Sequence, residues 1–117
     1  MRVIVCGGRD YGDILHVRRV LDEVNAATPI DEIVTGGATG ADTLAYGWAL
    51  RREITAIVVP AKWSDGRKAG PIRNQEIIAK WGGDLCVAFP GGKGTADMVR
   101  RCGAAGIEVR QVPREQA

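Results

Sequence analysis

Short apolar runs alternate with longer amphipathic segments along the chain. The runs have the length of buried strands and cover residues 3–6, 32–35, 54–59, 85–89 and 108–112. The segments between them carry apolar residues at helical spacing and predict helices over residues 14–27, 41–52, 71–81 and 96–105. This alternation predicts an α/β fold, a Rossmann-like doubly wound domain with about five parallel strands flanked by four helices.

Residues that start or stop helices support these boundaries. Asp13 and Thr95 are placed to cap the first and last helices. Pro71 suits the first position of the third helix, after a polar loop over residues 60–70, and Gly106 ends the fourth. A frayed tail is expected over residues 113–117. The core side of the first helix is expected to carry Ile14, Val17, Leu21 and Val24.

The second helix is apolar on two sides. One stripe consists of Ala41, Leu44, Ala45 and Trp48, and the other of Tyr46, Ala49 and Leu50. One stripe faces the sheet. The other is either a subunit interface, which would make the protein a homodimer, or a set of scattered exposed apolar residues.

Composition and charge narrow the function classes. A chain of 117 residues makes a single domain, taken as residues 1–117, and its net charge of +2 is too small to favour a bulk nucleic-acid or membrane binder. The three cysteines, Cys6, Cys86 and Cys102, form no C-x-x-C pair and are expected to be reduced and buried. The first strand begins near the N-terminus and no apolar run approaches about 18 residues, so we expect no signal peptide, no membrane span and a cytoplasmic location.

Glycines are about twice as frequent as in an average protein, and they cluster after strands one, two and four. Successive N–H groups in glycine turns form anion sites, and a helix N-terminus adds partial positive charge. The alternative is that these glycines only turn the chain. The three loops consist of Gly7, Gly8 and Arg9; Gly36, Gly37, Ala38, Thr39 and Gly40; and Pro90, Gly91, Gly92, Lys93, Gly94 and Thr95. Cations expected near them are Arg9, Lys62, Arg67, Lys68, Arg73 and Lys93.

Generic catalytic motifs do not fit the sequence. A Walker A loop needs Ser or Thr directly after its Lys, and Gly94 follows Lys93 here. No G-x-G-x-x-G follows the first strand, and the chain has one histidine and no G-x-S-x-G. Neither a protein-held metal nor a cofactor is therefore expected.

Several side chains near the loops have two interpretations each. Arg9 either binds a phosphate or pairs with Asp10 or Asp13 on the surface. Tyr11 either covers a base or packs into the core.

The same ambiguity holds beyond the first loop. Asp42 either complements the dipole of its helix or accepts a hydrogen bond from a ribose hydroxyl. Trp63, which follows Lys62, either lies over a base or pins its loop to the core. Arg73 and Asn74 point to the mouth of the site or form a solvated helix face. Trp48 and Trp81 suit core packing.

Several motifs together match a known superfamily. Pro-Gly-Gly-Lys-Gly-Thr at 90–95 resembles the P-G-G-x-G-T signature of the LONELY GUY (LOG) proteins. Gly-Gly-Arg at 7–9 and Val-Thr-Gly-Gly-Ala-Thr-Gly-Ala-Asp at 34–42 resemble loops of the DprA/Smf proteins. The chain is similar almost end to end to small stand-alone YspA/YpsA-related SLOG proteins, including Gly-Pro-Ile-Arg-Asn at 70–74 and Gly-Thr-Ala-Asp-Met at 94–98.

The resemblance implies binding of a nucleotide or a nucleotide-derived ligand at the glycine loops. LOG enzymes are phosphoribohydrolases whose signature continues to a glutamate that acts with an arginine. Arg73 matches that arginine, but Met98 stands in the glutamate's place, and a thioether cannot act as a base. The neighbouring Asp97 is expected to point elsewhere, since one helical residue is a turn of about 100°.

These observations favour a binder over an enzyme. The leading hypothesis is a protein that senses or sequesters a phosphate-bearing nucleotide or an ADP-ribose-like derivative. Phosphate is expected on the first and third glycine loops, with Arg9, Lys62 or Arg73 neutralising it. One alternative is a nucleoside 5′-monophosphate phosphoribohydrolase that uses Arg73 and Asp97. The other is a DprA-like nucleic-acid-processing accessory, which the nearly balanced charge does not favour.

Overall fold

The computed structural model describes residues 1–114 and confirms the α/β fold. Within that range the strands are β1 (Arg2–Cys6), β2 (Glu32–Thr35), β3 (Thr55–Val58), β4 (Leu85–Ala88) and β5 (Glu108–Gln111). The α-helices are α1 (Ile14–Ala27), α2 (Ala41–Arg51), α3 (Ala69–Glu76) and α4 (Lys93–Ala104). Of the tail predicted over 113–117, residues 115–117 lie outside the described part of the chain.

The five strands form one parallel sheet in the order β3-β2-β1-β4-β5. β1 lies at the centre, where Val3 is paired with Ile33 of β2 on one side and Leu85 of β4 on the other. The chain therefore moves outward from β1 in one direction and returns to continue in the other. The strand order reverses between β1 and β4, so the loops that follow these two strands diverge. The crevice between such loops is where doubly wound sheets bind ligands.

Alternating side chains of the strands build a core on each face of the sheet. Val3, Val5 and Ile33 are fully buried in the cluster that also contains the apolar sides of α1 and α2. Ile4, Val34 and neighbouring residues face the other way, toward α3 and α4. Strands covered on both faces need continuous apolar runs, which explains the run pattern in the sequence.

The first helix begins as predicted, but its buried side differs. Asp13 caps α1, since its carboxylate accepts a hydrogen bond from the N–H of His16 at 3.1 Å. Ile14 is exposed, whereas His16 and Val20 are buried with Val17, Leu21 and Val24. The prediction for Ile14 was wrong, because the buried side of α1 begins only at His16, one helical turn from the N-cap.

The segment predicted as a polar loop contains a 3₁₀-helix, Trp63–Lys68, which leads directly into α3. Pro71 is consequently the third residue of α3 and not the first. The physical reason is that the N–H groups of a whole first turn lack helical partners, so proline is accepted throughout it. A π-helical turn, Ile77–Trp81, extends α3 to the predicted end at residue 81.

The fourth helix starts earlier than predicted. Gly92 is the N-cap of α4, no side chain caps this end, and Thr95 lies inside the first turn. The interpretation of Thr95 as the cap is therefore wrong, because the helix is already formed when the chain reaches it. Gly106 follows the end of α4 with a φ of 76°, in the left-handed region that stops helices.

Other expectations about the core hold with small changes. Trp48 is 2% exposed, and Trp81 is partly buried against the α3–α4 side of the core. Cys86 and Cys102 are buried free thiols, and Cys6 is half-buried. In residues 1–114, none of the helices has the length and apolar character needed to cross a bilayer.

Candidate functional site

A cavity of about 800 Å³ opens at the carboxyl edge of the sheet. It lies in the crevice between the loops that follow β1 and β4, and α3 forms one of its walls. Ligand pockets for small molecules range from roughly 300 to 1,000 Å³, so a nucleotide-sized molecule fits. The residues predicted for the site that line the cavity are Gly7, Gly8, Arg9, Gly36, Ala38, Asp42, Trp63, Arg73, Asn74, Gly92, Lys93, Gly94 and Thr95.

The remaining predicted residues do not border the cavity. They are Asp10, Tyr11, Gly37, Thr39, Gly40, Lys62, Pro90 and Gly91. Tyr11 is 5% exposed, stacks on Phe89 with ring centroids 5.7 Å apart, and its hydroxyl lies 2.6 Å from Nδ1 of His16. Its core interpretation therefore fits, and it does not reach a base in this cavity.

Several residues outside the cavity hold its loops together. The Thr39 hydroxyl donates to the Arg9 carbonyl at 3.1 Å. The N–H of Gly8 donates to the Pro90 carbonyl at 2.9 Å, which joins the loops after β1 and β4. A Cβ on Gly91 would lie 2.7 Å from the Gly8 nitrogen, so this close approach requires glycine.

Three successive N–H groups of the loop after β2 already have acceptors within the protein. The N–H groups of Gly36 and Ala38 both donate to Oδ2 of Asp42 at 3.2 Å, and that of Gly37 donates to the Thr35 hydroxyl at 3.4 Å. The expectation that this loop contributes N–H donors to an anion site is therefore wrong for Gly36, Gly37 and Ala38. A carboxylate occupies the position where a phosphate would have to sit.

Asp42 is buried, with 6% of its surface exposed, and it lines the cavity. Burial raises the pKa of Asp42 to about 6, although the N–H of Ala38, the charge of Arg73, the N–H of Gly36 and the charge of Arg9 each oppose the rise. Within residues 1–114, Oδ1 of Asp42 accepts no hydrogen bond, whereas Oδ2 accepts two. One oxygen thus remains for a hydroxyl donor.

The N-terminus of α4 is different, because its donors are unused. Within residues 1–114, the N–H groups of Gly92, Lys93, Gly94 and Thr95 donate to no protein acceptor. The first helical hydrogen bond of α4 runs from the Ala96 N–H to the Gly92 carbonyl at 3.0 Å. A twelve-residue helix adds partial positive charge at this end. Free N–H groups and the helix dipole together give this part of the cavity a positive electrostatic character.

Positive side chains surround the same space. Among residues 1–114, Arg9, Arg67 and Lys93 line the cavity without a carboxylate partner. Arg73 lines it as well, and its Nη1 donates to the Gly36 carbonyl at 2.7 Å. Burial lowers the pKa of Arg73, and Asp42 raises it in part. The cavity therefore has an excess of positive charge that suits an anionic ligand.

An aromatic surface stands at the mouth. Trp63 is 54% exposed, and the guanidinium carbon of Arg9 lies 4.5 Å from its ring centroid. The pair combines a flat apolar face with a cation, a combination on which planar aromatic rings can stack. Trp63 does not pin its segment to the core, so the first of its two interpretations fits the geometry better.

Asp97 is fully engaged by neighbouring donors. Its carboxylate accepts from Asn74 at 3.0 Å, from Arg100 at 2.5 Å and from Arg101 at 2.8 Å. Burial by itself raises the pKa of Asp97, but the hydrogen bonds from Asn74 and Arg101 and the charges of Arg101 and Arg100 outweigh it, and the pKa is lowered. A carboxylate held in this way is a weak base.

Asp97 and Met98 both border the cavity, although Asp97 was expected to point away from the direction of Met98. The 100° step between them does not separate them, because the cavity wraps around the first turns of α4.

Sequence reasoning missed several lining residues. These are Val5, Cys6, Gly70, Pro71, Ile77, Ala96 and Arg100. Arg67 appeared only among the expected nearby cations. A usable signal existed for Arg100, since Lys93, Asp97 and Arg100 are spaced four and three residues apart and lie on one side of α4. Cys6 could also have been found, because it is the last residue of β1 and therefore lies at the edge of the sheet that carries the cavity.

The fold and site define a doubly wound α/β protein with a cavity, lined by free N–H groups and positive side chains, at the switch point of its sheet. Residues 1–66 match the model of the YspA, cpYpsA-related SLOG family. The chain is also similar to the Gene 61 protein of Mycobacterium phage D29, with 38% identity over an alignment of 117 positions that covers 92% of this chain and 93% of that protein. The chain belongs to the YspA, cpYpsA-related SLOG family, and this membership supports a nucleotide-related function in general.

Proposed function

We propose that the protein binds a phosphate-bearing nucleotide or an ADP-ribose-like derivative, as a sensor or a sequestering protein. The observation that carries the proposal is the N-terminus of α4, where four successive N–H groups without protein partners face a cavity rich in arginine. Phosphate would bind these N–H groups, and Lys93, Arg67 and Arg73 would neutralise its charge.

Two further features support a nucleotide over inorganic phosphate alone. Oδ1 of Asp42 makes no hydrogen bond within residues 1–114 and is available to a ribose hydroxyl, and a site built to hydrogen-bond a hydroxyl discriminates against analogues that lack it. The exposed ring of Trp63 with Arg9 supplies a stacking surface for the base.

Calorimetry and thermal shift with AMP, ADP-ribose, NAD and cyclic ADP-ribose test the proposal. We expect saturable heat and a raised melting temperature with at least one of them. No heat and no shift with any compound would overturn it. Analysis of small molecules that co-purify with the protein would name the physiological ligand.

Gly94→Asp separates binding from folding. A Cβ at Gly94 meets no atom within 4 Å, and a carboxylate in the first turn of a helix complements the dipole, so we expect unchanged or slightly raised stability. The same carboxylate lies where the phosphate would bind, and affinity should fall by roughly a hundredfold. Gly94→Ala is the matched control, since it adds the Cβ without the charge. Equal affinity for the two variants would contradict an anion site at α4.

A homodimer through α2 remains a prediction. Tyr46 and Leu50 are 39% and 59% exposed and lie on the second apolar stripe of that helix, whereas Ala49 of the same stripe is buried in the core. Analytical ultracentrifugation of the wild type and of Leu50→Lys decides whether this surface joins two copies.

A further inference from the structure

A chain of hydrogen bonds crosses the wall of the cavity between the loop after β2 and the start of α4. Arg73 donates from Nη1 to the Gly36 carbonyl at 2.7 Å and from Nε to Oδ1 of Asn74 at 3.0 Å. The Nδ2 group of Asn74 then donates to Oδ2 of Asp97 at 3.0 Å and to the Gly94 carbonyl at 3.3 Å. Two parts of the cavity that are far apart in sequence are thereby linked through α3.

The two central members of this series of hydrogen bonds are buried, and their polar groups have partners. Asn74 and Asp97 are 4% and 8% exposed, and no buried side-chain nitrogen or oxygen in residues 1–114 lacks a partner. The amide of Asn74 can take only one orientation. Its oxygen must face the donor of Arg73, and its nitrogen must face the two acceptors on α4, so a flipped amide would lose all three bonds.

This arrangement leaves the Arg73 guanidinium with a defined direction. Nε and Nη1 are both held, the group is planar, and within residues 1–114 only Nη2 makes no hydrogen bond to the protein. A cation that is already oriented loses little conformational entropy when a ligand binds.

We propose that Asn74 and Asp97 are positioning residues of the ligand site. Asn74 orients the Arg73 guanidinium, and its bonds to Asp97 and Gly94 hold the first turn of α4 at a fixed distance from it, so that both act on one anion. The proposal rests on the proposed anion-binding function. It gives Asn74 a supporting role in place of the direct ligand contact expected from the sequence, and it gives Asp97 a role that does not require catalysis.

Ligand-free NMR tests the first half of the proposal. The Nε–H signal of Arg73 should exchange slowly with water in the wild type and fast in Asn74→Ala, because the variant removes the acceptor. Glu76→Gln, an exposed change on the same helix, should leave the signal as it is. Slow exchange in Asn74→Ala would overturn the proposal whether or not any ligand binds.

Affinity for inorganic pyrophosphate and for ADP-ribose tests the second half, at a temperature where every variant is folded. Asn74→Asp places a second carboxylate beside Asp97, and affinity should fall by about tenfold. The double variant Asn74→Asp with Asp97→Asn restores an amide–carboxylate pair and should recover most of the loss. A lowered melting temperature with unchanged affinity in Asn74→Asp would reduce the pair to a structural role and overturn the proposal. If the wild type binds neither compound, the proposed function fails, while the Arg73 signal still decides whether Asn74 orients that side chain.

Discussion

At the scale of single residues, Asp42 accounts for the largest difference between the predicted and the observed site. A glycine loop in a sequence suggests free N–H groups, but here a carboxylate six positions after Gly36 takes two of them. These two N–H groups are therefore not available to an anion, and the cavity receives a carboxylate oxygen from this loop region instead. Met98 is 2% exposed, lies in the core cluster beneath α4 and reaches the cavity wall, so an apolar side chain stands where LOG enzymes carry a glutamate.

Asp42 should also make stability depend on pH. Its folded-state pKa of about 6 lies above the ordinary value of 3.8, so the folded protein holds this proton to higher pH than the unfolded chain does. The stabilising contribution is complete at low pH and is lost as pH rises to about 6. Relative to wild type, Asp42→Asn should gain up to about 3 kcal/mol in free energy of unfolding between about pH 4 and about pH 7.

Urea unfolding at several pH values measures this difference, and the exposed Asp65→Asn serves as control. A difference between Asp42→Asn and wild type that does not change with pH would show that the carboxyl of Asp42 titrates normally.

At the scale of elements, loops that touch one another build the site. The start of α2 packs against the loop after β1, where the Ala41 N–H donates to the Gly8 carbonyl at 3.1 Å. Gly40 has a φ of 77°, and a Cβ there would lie 2.2 Å from the Gly8 oxygen and 2.6 Å from the Arg9 oxygen. Both the backbone conformation and the space require glycine at this position.

Gly40→Ala should therefore destabilise the protein by at least about 2 kcal/mol and loosen the loop that carries Arg9. Gly47, inside the helix that Gly40 precedes, offers the control, because a Cβ there meets nothing within 4 Å. Gly47→Ala should stabilise by about 0.5–1 kcal/mol through helix propensity. Denaturant titration of both variants checks the contrast, and similar effects at the two positions would refute the steric argument.

At the scale of the whole molecule, one sheet carries both cores. Trp48 reports on the α1–α2 side, and the described chain has a second core on the α3–α4 side of the same five strands. Because both cores contain residues of β1, β2, β3 and β4, neither is expected to survive the loss of the other.

We therefore expect a single cooperative unfolding transition. In a variant with Trp63→Phe and Trp81→Phe, fluorescence follows Trp48 alone while far-UV circular dichroism follows all the helices. The two probes should give the same midpoint in urea. Separate midpoints would mean that the chain is not one cooperative domain.

Much of the architecture could be predicted from local pattern. The apolar runs and the helical spacing predict the order of strands and helices, because a strand that is buried on both faces of a parallel sheet has to be a nearly continuous apolar run. The glycine loops after β1, β2 and β4 were correctly placed at one edge, since parallel strands all end there. Element starts were less predictable, as Pro71 and Thr95 illustrate, because several residues of a first turn satisfy the same chemistry.

The sequence by itself determined the fold class, the edge of the sheet that carries the site and most of its lining. Only the tertiary structure decided which N–H groups are free, because an acceptor such as the Asp42 carboxylate forms a hydrogen bond only with the N–H groups that the folded chain brings close to it. It also moved Tyr11 into the core and joined Arg73, Asn74 and Asp97 across two helices. Local periodicity carries no information on such pairings, because they depend on how α3 and α4 pack together.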